Sequence, residues 1–176
     1  MQNRYLVGSV AAALVILGLL FFQRQPQPVV QNSSEPSTSP DAVCMRLDGT
    51  AWNFAEGVLN VGGEVFSIAV ADTPPERAAG LSGCSQIPVS SGMYFPFASA
   101  VRASFWMKDM VIPIDIVWVA GGEVIGIEHN IQPEPGVAEA DLTRYMPPQP
   151  VEAVLELTAG EAARRGITVG DSVVRK

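Results

Sequence analysis

Three charged side chains interrupt the most apolar internal stretch of the chain, SFWMKDMVIPIDIVWV (104–119), at Lys108, Asp109 and Asp115. Burying a charge is costly unless it is paired, so each charge must lie at a turn, have a partner or serve a function. Lys108-Asp109 is predicted to form a turn. Asp115 falls inside a predicted strand, and a hairpin would place it opposite Glu128. Two facing carboxylates could carry out acid–base catalysis as in a hydrolase-like enzyme.

A cation is the other partner that such a carboxylate pair could have. Like charges directly opposite each other on neighbouring strands are destabilising, so either a cation bridges Asp115 and Glu128, or one side chain lies in water, or a bulge shifts the register. The cations that the protein itself could supply are Arg77, Arg102 and Lys108, and a bound metal ion is the external alternative.

We predict that Lys108, Asp115 and Trp106 lie on a shared cleft wall and that this cleft is the functional site. Exposed aromatic side chains beside cations suit the recognition of a ligand. The predicted ligand-binding set is therefore Arg77, Arg102, Trp106, Lys108, Asp115 and Glu128.

Other catalytic classes find little support in the sequence. His129 is the only histidine and no G-x-S-x-G segment is present, which argues against a Ser–His–Asp hydrolase. One histidine and two cysteines that are expected to pair are too few for a zinc site. No phosphate-binding glycine loop precedes a helix. We therefore predict no metal site and no cofactor, and we favour binding over catalysis.

The charge balance excludes a further class of partner. The net charge is −7, the sequence pI is near 4.6, and no basic run occurs. A protein that binds nucleic acid needs a positive surface for the phosphates, so we predict no nucleic-acid partner.

The N-terminal part of the sequence predicts a membrane anchor. Tyr5 to Phe22 carries no charge and is flanked by Arg4 and Arg24. A helix of this length would reach roughly 27 Å at about 1.5 Å per residue, close to the ~30 Å hydrocarbon core. A cleaved signal peptide is the alternative, but small residues around a cleavage site are missing. We predict an anchor over 1–22, a Pro- and Ser-rich disordered tether over 23–43, and a folded extracytoplasmic domain over 44–176 of a single-pass membrane protein.

The two cysteines, Cys44 and Cys84, are expected to pair in an oxidising compartment. A disulfide between them would close a loop of about 40 residues and stabilise the fold by roughly 3–4 kcal/mol. One buried and one free cysteine is the alternative. A redox pair is disfavoured because the C-x-x-C spacing is missing.

Glycine pairs and caps define the elements that must position these residues. Gly62-Gly63 and Gly121-Gly122 each predict a hairpin turn. Thr73 and Glu76 form a capping-box pattern, with two prolines at the start and Gly80 at the end of a helix over 74–79. Alternating residues predict short strands at 92–97 and 101–107, a proline-rich loop covers 131–150, and the chain ends with a strand, a helix at about 159–165 and a last strand.

Four segments together resemble the prokaryotic family known as domain of unknown function 192: VADTPPERAAGLSG, GMYFPF, SFWMKDMVIPIDIVWV and AVLELTAGEAARRGITVGDSV. The most specific pattern is FWMK-x-x-x-IP-x-D, from Phe105 to Asp115. The last segment is similar to the GD box of small cradle-loop β-barrels. The resemblance implies a mainly β fold, a small cradle-loop barrel with two short helices, but it supplies no catalytic residues. Family members often carry Arg at position 84, which favours a disulfide peculiar to this chain.

These observations predict a membrane-anchored extracytoplasmic domain that binds a small molecule, a glycan or an envelope protein. The alternative is a hydrolase-like enzyme that uses Asp115 and Glu128 as its carboxylate pair.

Overall fold

Strands are the main elements of the fold. The structure is a computed structural model, and it describes residues 44–46 and 54–176. The strands are β1 (Met45–Arg46), β2 (Ala55–Val61), β3 (Glu64–Val70), β4 (Cys84–Gln86), β5 (Ser91–Val101), β6 (Ile114–Ala120), β7 (Glu123–Ile131), β8 (Val151–Thr158) and β9 (Val173–Arg175). All of the pairs among these strands are antiparallel except that of β3 with β5, which is parallel. The helices are α1 (Pro74–Ala79), α2 (Glu161–Arg164) and a 3-10 turn at Glu139–Asp141.

Seven of the strands form one curled sheet in the order β7-β6-β8-β5-β3-β2-β9, while β1 and β4 form a separate pair. The sheet is a half-barrel, and this corrects the predicted small barrel. Its two edge strands meet only at one end, where Glu123 bridges Ser172 and the Val173 amide donates to the Gly122 carbonyl at 2.7 Å. The strand β9 has three residues, which is too short to pair along the whole of β7.

The first predicted helix is confirmed with its caps. The Thr73 side chain accepts from the Glu76 amide, and the Glu76 carboxylate accepts from the Thr73 amide at 2.9 Å. The Gly80 amide donates to the Glu76 carbonyl and ends the helix. The second helix is shorter than predicted and spans Glu161–Arg164. These caps set the start and end of the helix that carries Arg77.

Buried side chains form two clusters, one on each face of the sheet. Alternation along a strand sends neighbouring residues to opposite faces. In β6, Ile116 and Trp118 pack into the first cluster, with Phe95, Leu81 and Met110, whereas Val117 packs into the second. The candidate site described below lies on the face of the first cluster.

Two predictions of detail along 101–131 are corrected. The predicted strand at 101–107 is irregular, and its Phe105 exchanges backbone hydrogen bonds of 2.9 Å with Tyr145 as an isolated bridge. In the β6–β7 hairpin Val119 faces Val124 as predicted. A bulge between Trp118 and Val119 shifts the register of the pairs farther from the turn by one residue, so that Trp118 faces Gly126. The Lys108-Asp109 turn is present, with Asp109 in the left-handed region at φ 56°.

Among the residues that the structure describes, no helix has the length and apolar character needed to cross a membrane. The predicted anchor (1–22) and tether (23–43) lie outside the described residues, and both stay predictions.

Candidate functional site

A cleft of about 290 Å³ lies between α1, the loop that follows it, strand β5, the 103–110 segment and strand β8. Three residues of the predicted ligand-binding set line it: Arg77, Trp106 and Lys108. Its other main lining side chains are Leu81, Phe95, Phe97, Val101, Phe105, Met110 and Glu156. The lining therefore combines apolar and aromatic side chains with a few polar and charged groups, which is the usual make-up of a small-molecule site.

Aromatic rings form one wall of the cleft. The Phe95 and Phe105 rings meet edge to face with their centroids 5.2 Å apart, and Phe105 meets Trp118 in the same way at 5.6 Å. Such pairs are worth about 0.5–1.5 kcal/mol beyond their burial. The backbone bridge to Tyr145 holds Phe105 in place in this wall.

The guanidinium of Arg77 is held by backbone oxygens at the α1 side of the cleft. Its Nη1 donates to the carbonyl of Asp72 at 2.6 Å, to that of Pro96 at 3.3 Å and to that of Ala71 at 3.5 Å. The group also lies 5.7 Å from the centroid of the Phe97 ring. These contacts tie α1 to the middle of β5, so Arg77 shapes the cleft wall.

Trp106 and Lys108 lie at the rim, and both have partners. The Arg144 guanidinium stacks over the Trp106 ring at 3.5 Å, and Lys108 Nζ lies 5.8 Å from the same ring. Lys108 Nζ also donates to the Glu139 carboxylate at 2.6 Å. This hydrogen bond raises the pKa of Lys108 above its ordinary value and lowers the pKa of Glu139. The rim cations are therefore paired within the protein.

The disulfide lies directly beside the loop that lines the cleft. The Ser82 hydroxyl donates to the Lys108 carbonyl at 2.9 Å, and the Gly83 amide donates to the Asp109 carbonyl at 2.9 Å. The next residue, Cys84, is bonded to Cys44 with a Cα–Cα distance of 5.5 Å. The predicted cysteine pairing is confirmed by this geometry, and it fastens the loop to the start of the folded domain.

Glu156 is the buried ionisable group of the cleft. Its side chain projects from the central strand β8, and only 6 % of the residue is exposed. Its flanking residues on the neighbouring strands are Met93 in β5 and Ile116 in β6, both apolar. Burial alone raises the pKa of Glu156 to about 8. At neutral pH the carboxyl group is therefore mostly protonated.

Asp115 lies on the opposite face of the sheet, because its neighbours Ile114 and Ile116 pack into the first cluster. It is fully buried and accepts three backbone N–H bonds: from Asn130 at 2.8 Å, from Gly160 at 3.0 Å and from Ala162 at 3.0 Å. It thus satisfies amides at the start of α2, where a negative charge is favourable. The role that the geometry gives Asp115 is structural.

The sequence profile of the DUF192 family, described as an uncharacterized ACR, matches residues 57–175. This range is more than half of the chain. The chain belongs to the DUF192 family.

Solved structures show the same fold. A Sinorhizobium meliloti 1021 protein, provisionally described as a transcription regulator, is 26% identical with a TM-score of 0.64, and the match covers 72% of this chain and 98% of that one. A Novosphingobium aromaticivorans protein of unknown function is 31% identical with a TM-score of 0.61, and that match covers 77% and 94% of the two chains. No curated protein matches the chain.

The most specific DUF192 segment, 105–115, divides between two places in the fold. Phe105, Trp106 and Lys108 line the cleft, whereas Asp115 holds the start of α2 on the other face. The predicted shared wall is therefore corrected: Trp106 and Lys108 share it, and Asp115 does not line it.

Two further predicted residues, Arg102 and Glu128, do not line the cleft either. Asp115 does not face Glu128. The alternative that a bulge shifts the register is confirmed, because Glu128 faces Ile116 in the observed register. Ligand binding by Arg102 and Glu128 stays a prediction.

Glu156 was missed by the sequence analysis, and so was the aromatic wall. The signal for Glu156 was its position in VEAVLELT, where it stands between two leucines, in the apolar part of the strand that follows Glu152. A buried central strand carries such a residue only at a cost, so this departure from the apolar pattern was informative.

Proposed function

We propose that the DUF192 domain of this chain is a binding module that holds a small, largely apolar molecule in the cleft. The observation that carries the proposal is Glu156, a buried carboxyl group on the wall of an aromatic cavity. Among the described residues, Glu156 makes no side-chain hydrogen bond and no ion pair. Because Glu156 lines the cleft, a molecule bound there can reach its carboxyl group and supply the partner that the protein does not.

Binding fits the cleft better than the hydrolase-like alternative does. The predicted catalytic pair of Asp115 and Glu128 does not form. Among the described residues that line the cleft, Glu156 is the one carboxyl group, and neither a histidine nor a cysteine lines it. A hydrolytic site needs a nucleophile and a base within hydrogen-bond reach of each other. The Ser82 hydroxyl donates to the Lys108 carbonyl and Lys108 Nζ pairs with Glu139, so these two lining groups are engaged elsewhere.

We further propose that the module acts outside the cytoplasm, held to the membrane by the 1–22 segment and the 23–43 tether. The Cys44–Cys84 disulfide supports this placement, because disulfides persist in oxidising compartments. The ligand would then be a small molecule, a glycan fragment or a side chain of an envelope protein that reaches the cleft from the same compartment.

Blocking the cleft is expected to abolish ligand binding without unfolding the domain. Ala78 is exposed on α1 and lines the cleft, so Ala78→Trp places a large ring at its mouth. The matched control is Ala163→Trp, because Ala163 is an exposed alanine on α2, on the other face. Full-length protein in mild detergent would be screened by ligand-observed NMR against a library of small aromatic and aliphatic compounds.

We expect the compounds that bind wild type to bind Ala163→Trp equally well and to lose at least about tenfold in affinity for Ala78→Trp. A loss of that size corresponds to about 1.4 kcal/mol. A library in which no compound distinguishes the two variants would overturn the proposed function.

A further inference from the structure

The charged groups around Glu156 leave its carboxyl group available to a ligand. The cations that line the cleft are Arg77 and Lys108. The Arg77 guanidinium donates to three backbone carbonyls, and Lys108 pairs with Glu139 at 2.6 Å. Both are therefore engaged elsewhere, and no described cation forms an ion pair with Glu156.

The other elements that pack around Glu156 present neutral groups to the cleft. Strand β5 contributes Met93 beside it and strand β6 contributes Ile116. The loop after α1 contributes Gly80, Leu81 and Ser82 to the lining, and none of these ionises. When Glu156 is ionised, its positive partner must therefore come from a bound molecule.

The aromatic wall suits the same kind of ligand. Phe95, Phe97 and Phe105 line the cleft, and the faces of aromatic rings attract cations, including organic ammonium groups. A volume of about 290 Å³ lies at the small end of the usual range for ligand sites, ~300–1,000 Å³. The cleft therefore has room for a compact molecule of about one ring rather than for an extended chain.

We infer that the cleft selects small organic cations: an ammonium group that pairs with the Glu156 carboxylate, carried on an apolar body that packs against the phenylalanine rings. This inference rests on the proposed function and names the chemical class of its ligand. Neutral molecules of the same shape would fill the apolar part of the cleft but leave Glu156 without a charge partner.

The test uses three fluorinated probes of one shape with full-length protein: 4-fluorobenzylamine, 4-fluorobenzyl alcohol and 4-fluorophenylacetate. Their dissociation constants would be measured by ¹⁹F NMR between pH 6 and pH 8.5. We expect the amine to bind at least about tenfold more tightly than the alcohol at pH 8, and the carboxylate to bind least.

The change of probe affinity with pH is a second test of the same inference. The amine pairs with the ionised carboxylate, and Glu156 ionises only as the pH approaches about 8. Affinity for the amine should therefore rise with pH, by up to about tenfold per unit below pH 8, while affinity for the alcohol stays flat or falls. Glu156→Gln should remove both the preference for the amine and its pH dependence.

The outcomes separate the two proposals. Equal binding of amine and alcohol to wild type, both lost in Ala78→Trp, would overturn the selectivity for cations and leave the binding module standing. No binding by any of the three probes and no hit in the wider library would overturn both. Because the probes are compared on wild type, the test holds even if Glu156→Gln folds poorly.

Discussion

Replacing Asp115 with alanine is expected to lower the free energy of unfolding by about 3–5 kcal/mol, as for other losses of a buried, fully bonded charge. The Asp115 carboxylate is fully buried and accepts hydrogen bonds from the amides of Asn130, Gly160 and Ala162. Leaving a buried donor without an acceptor costs about 1–3 kcal/mol. The alanine variant removes the acceptor of all three amides, of which the Ala162 amide is buried and the other two are partly buried. It also removes the negative charge from the start of α2.

Urea unfolding followed by tryptophan fluorescence would measure this loss. The matched control is Glu128→Ala, because Glu128 was the predicted partner of Asp115 but faces Ile116 in the structure. We expect the control to change the free energy of unfolding by less than about 0.5 kcal/mol, as is usual for surface substitutions. A stable Asp115→Ala protein that has lost ligand binding would contradict the structural role and restore Asp115 to the site.

Removing the disulfide is expected to cost about 4 kcal/mol. The sequence separation between Cys44 and Cys84 is 40 residues, and in the chain-entropy description a cross-link over a loop of that length restricts the unfolded chain by about this amount. The double variant Cys44→Ala and Cys84→Ala avoids placing polar serine hydroxyls at two buried positions. Its urea unfolding curve would be compared with that of oxidised wild type.

Wild type reduced with dithiothreitol is the control for the effect of the substitutions themselves. We expect the reduced wild type and the double variant to unfold at similar urea concentrations, both well below oxidised wild type. A loss of less than about 1 kcal/mol in both would show that the bond contributes little to stability. Freely alkylated thiols in the unreduced, denatured protein would contradict the bond itself.

Local signals in the sequence were sufficient for the elements that are stabilised locally. The α1 helix follows from Thr73, Glu76 and the two prolines, because a capping box satisfies its own backbone amides. The Gly121-Gly122 turn follows from two adjacent residues that adopt positive φ, at 62° and 73°. In both cases the interactions that decide the structure lie within a few residues.

Features that depend on distant parts of the chain could not be predicted in the same way. The bulge after Trp118 moves Glu128 opposite Ile116, and no turn rule specifies a bulge. Two of the three amides that Asp115 accepts from, those of Gly160 and Ala162 at the start of α2, lie more than forty residues later in the sequence. A charge in an apolar strand therefore indicated that a partner must exist, but it did not indicate which part of the chain would supply it.

The residues of the cleft were also predicted only in part. Trp106, Lys108 and Arg77 were predicted to share a site, and the structure brings them to one cleft. Glu156 was missed because the sequence does not show which residues will lie beside it. In the fold its neighbours on strands β5 and β6 are Met93 and Ile116, and neither can pair with a carboxyl group.

The most direct test of the proposed site is a ¹³C NMR titration of the Glu156 carboxyl carbon, assigned by comparison with Glu156→Gln, with and without saturating 4-fluorobenzylamine. We expect the free protein to titrate near 8, far above the ordinary 4.5, because the group is buried without a charge partner. The bound amine should lower this midpoint, because a nearby cation favours the ionised carboxylate. A midpoint near 4.5 in the free protein, or a midpoint that the amine leaves unchanged, would contradict the assignment of Glu156 as the ligand-binding group.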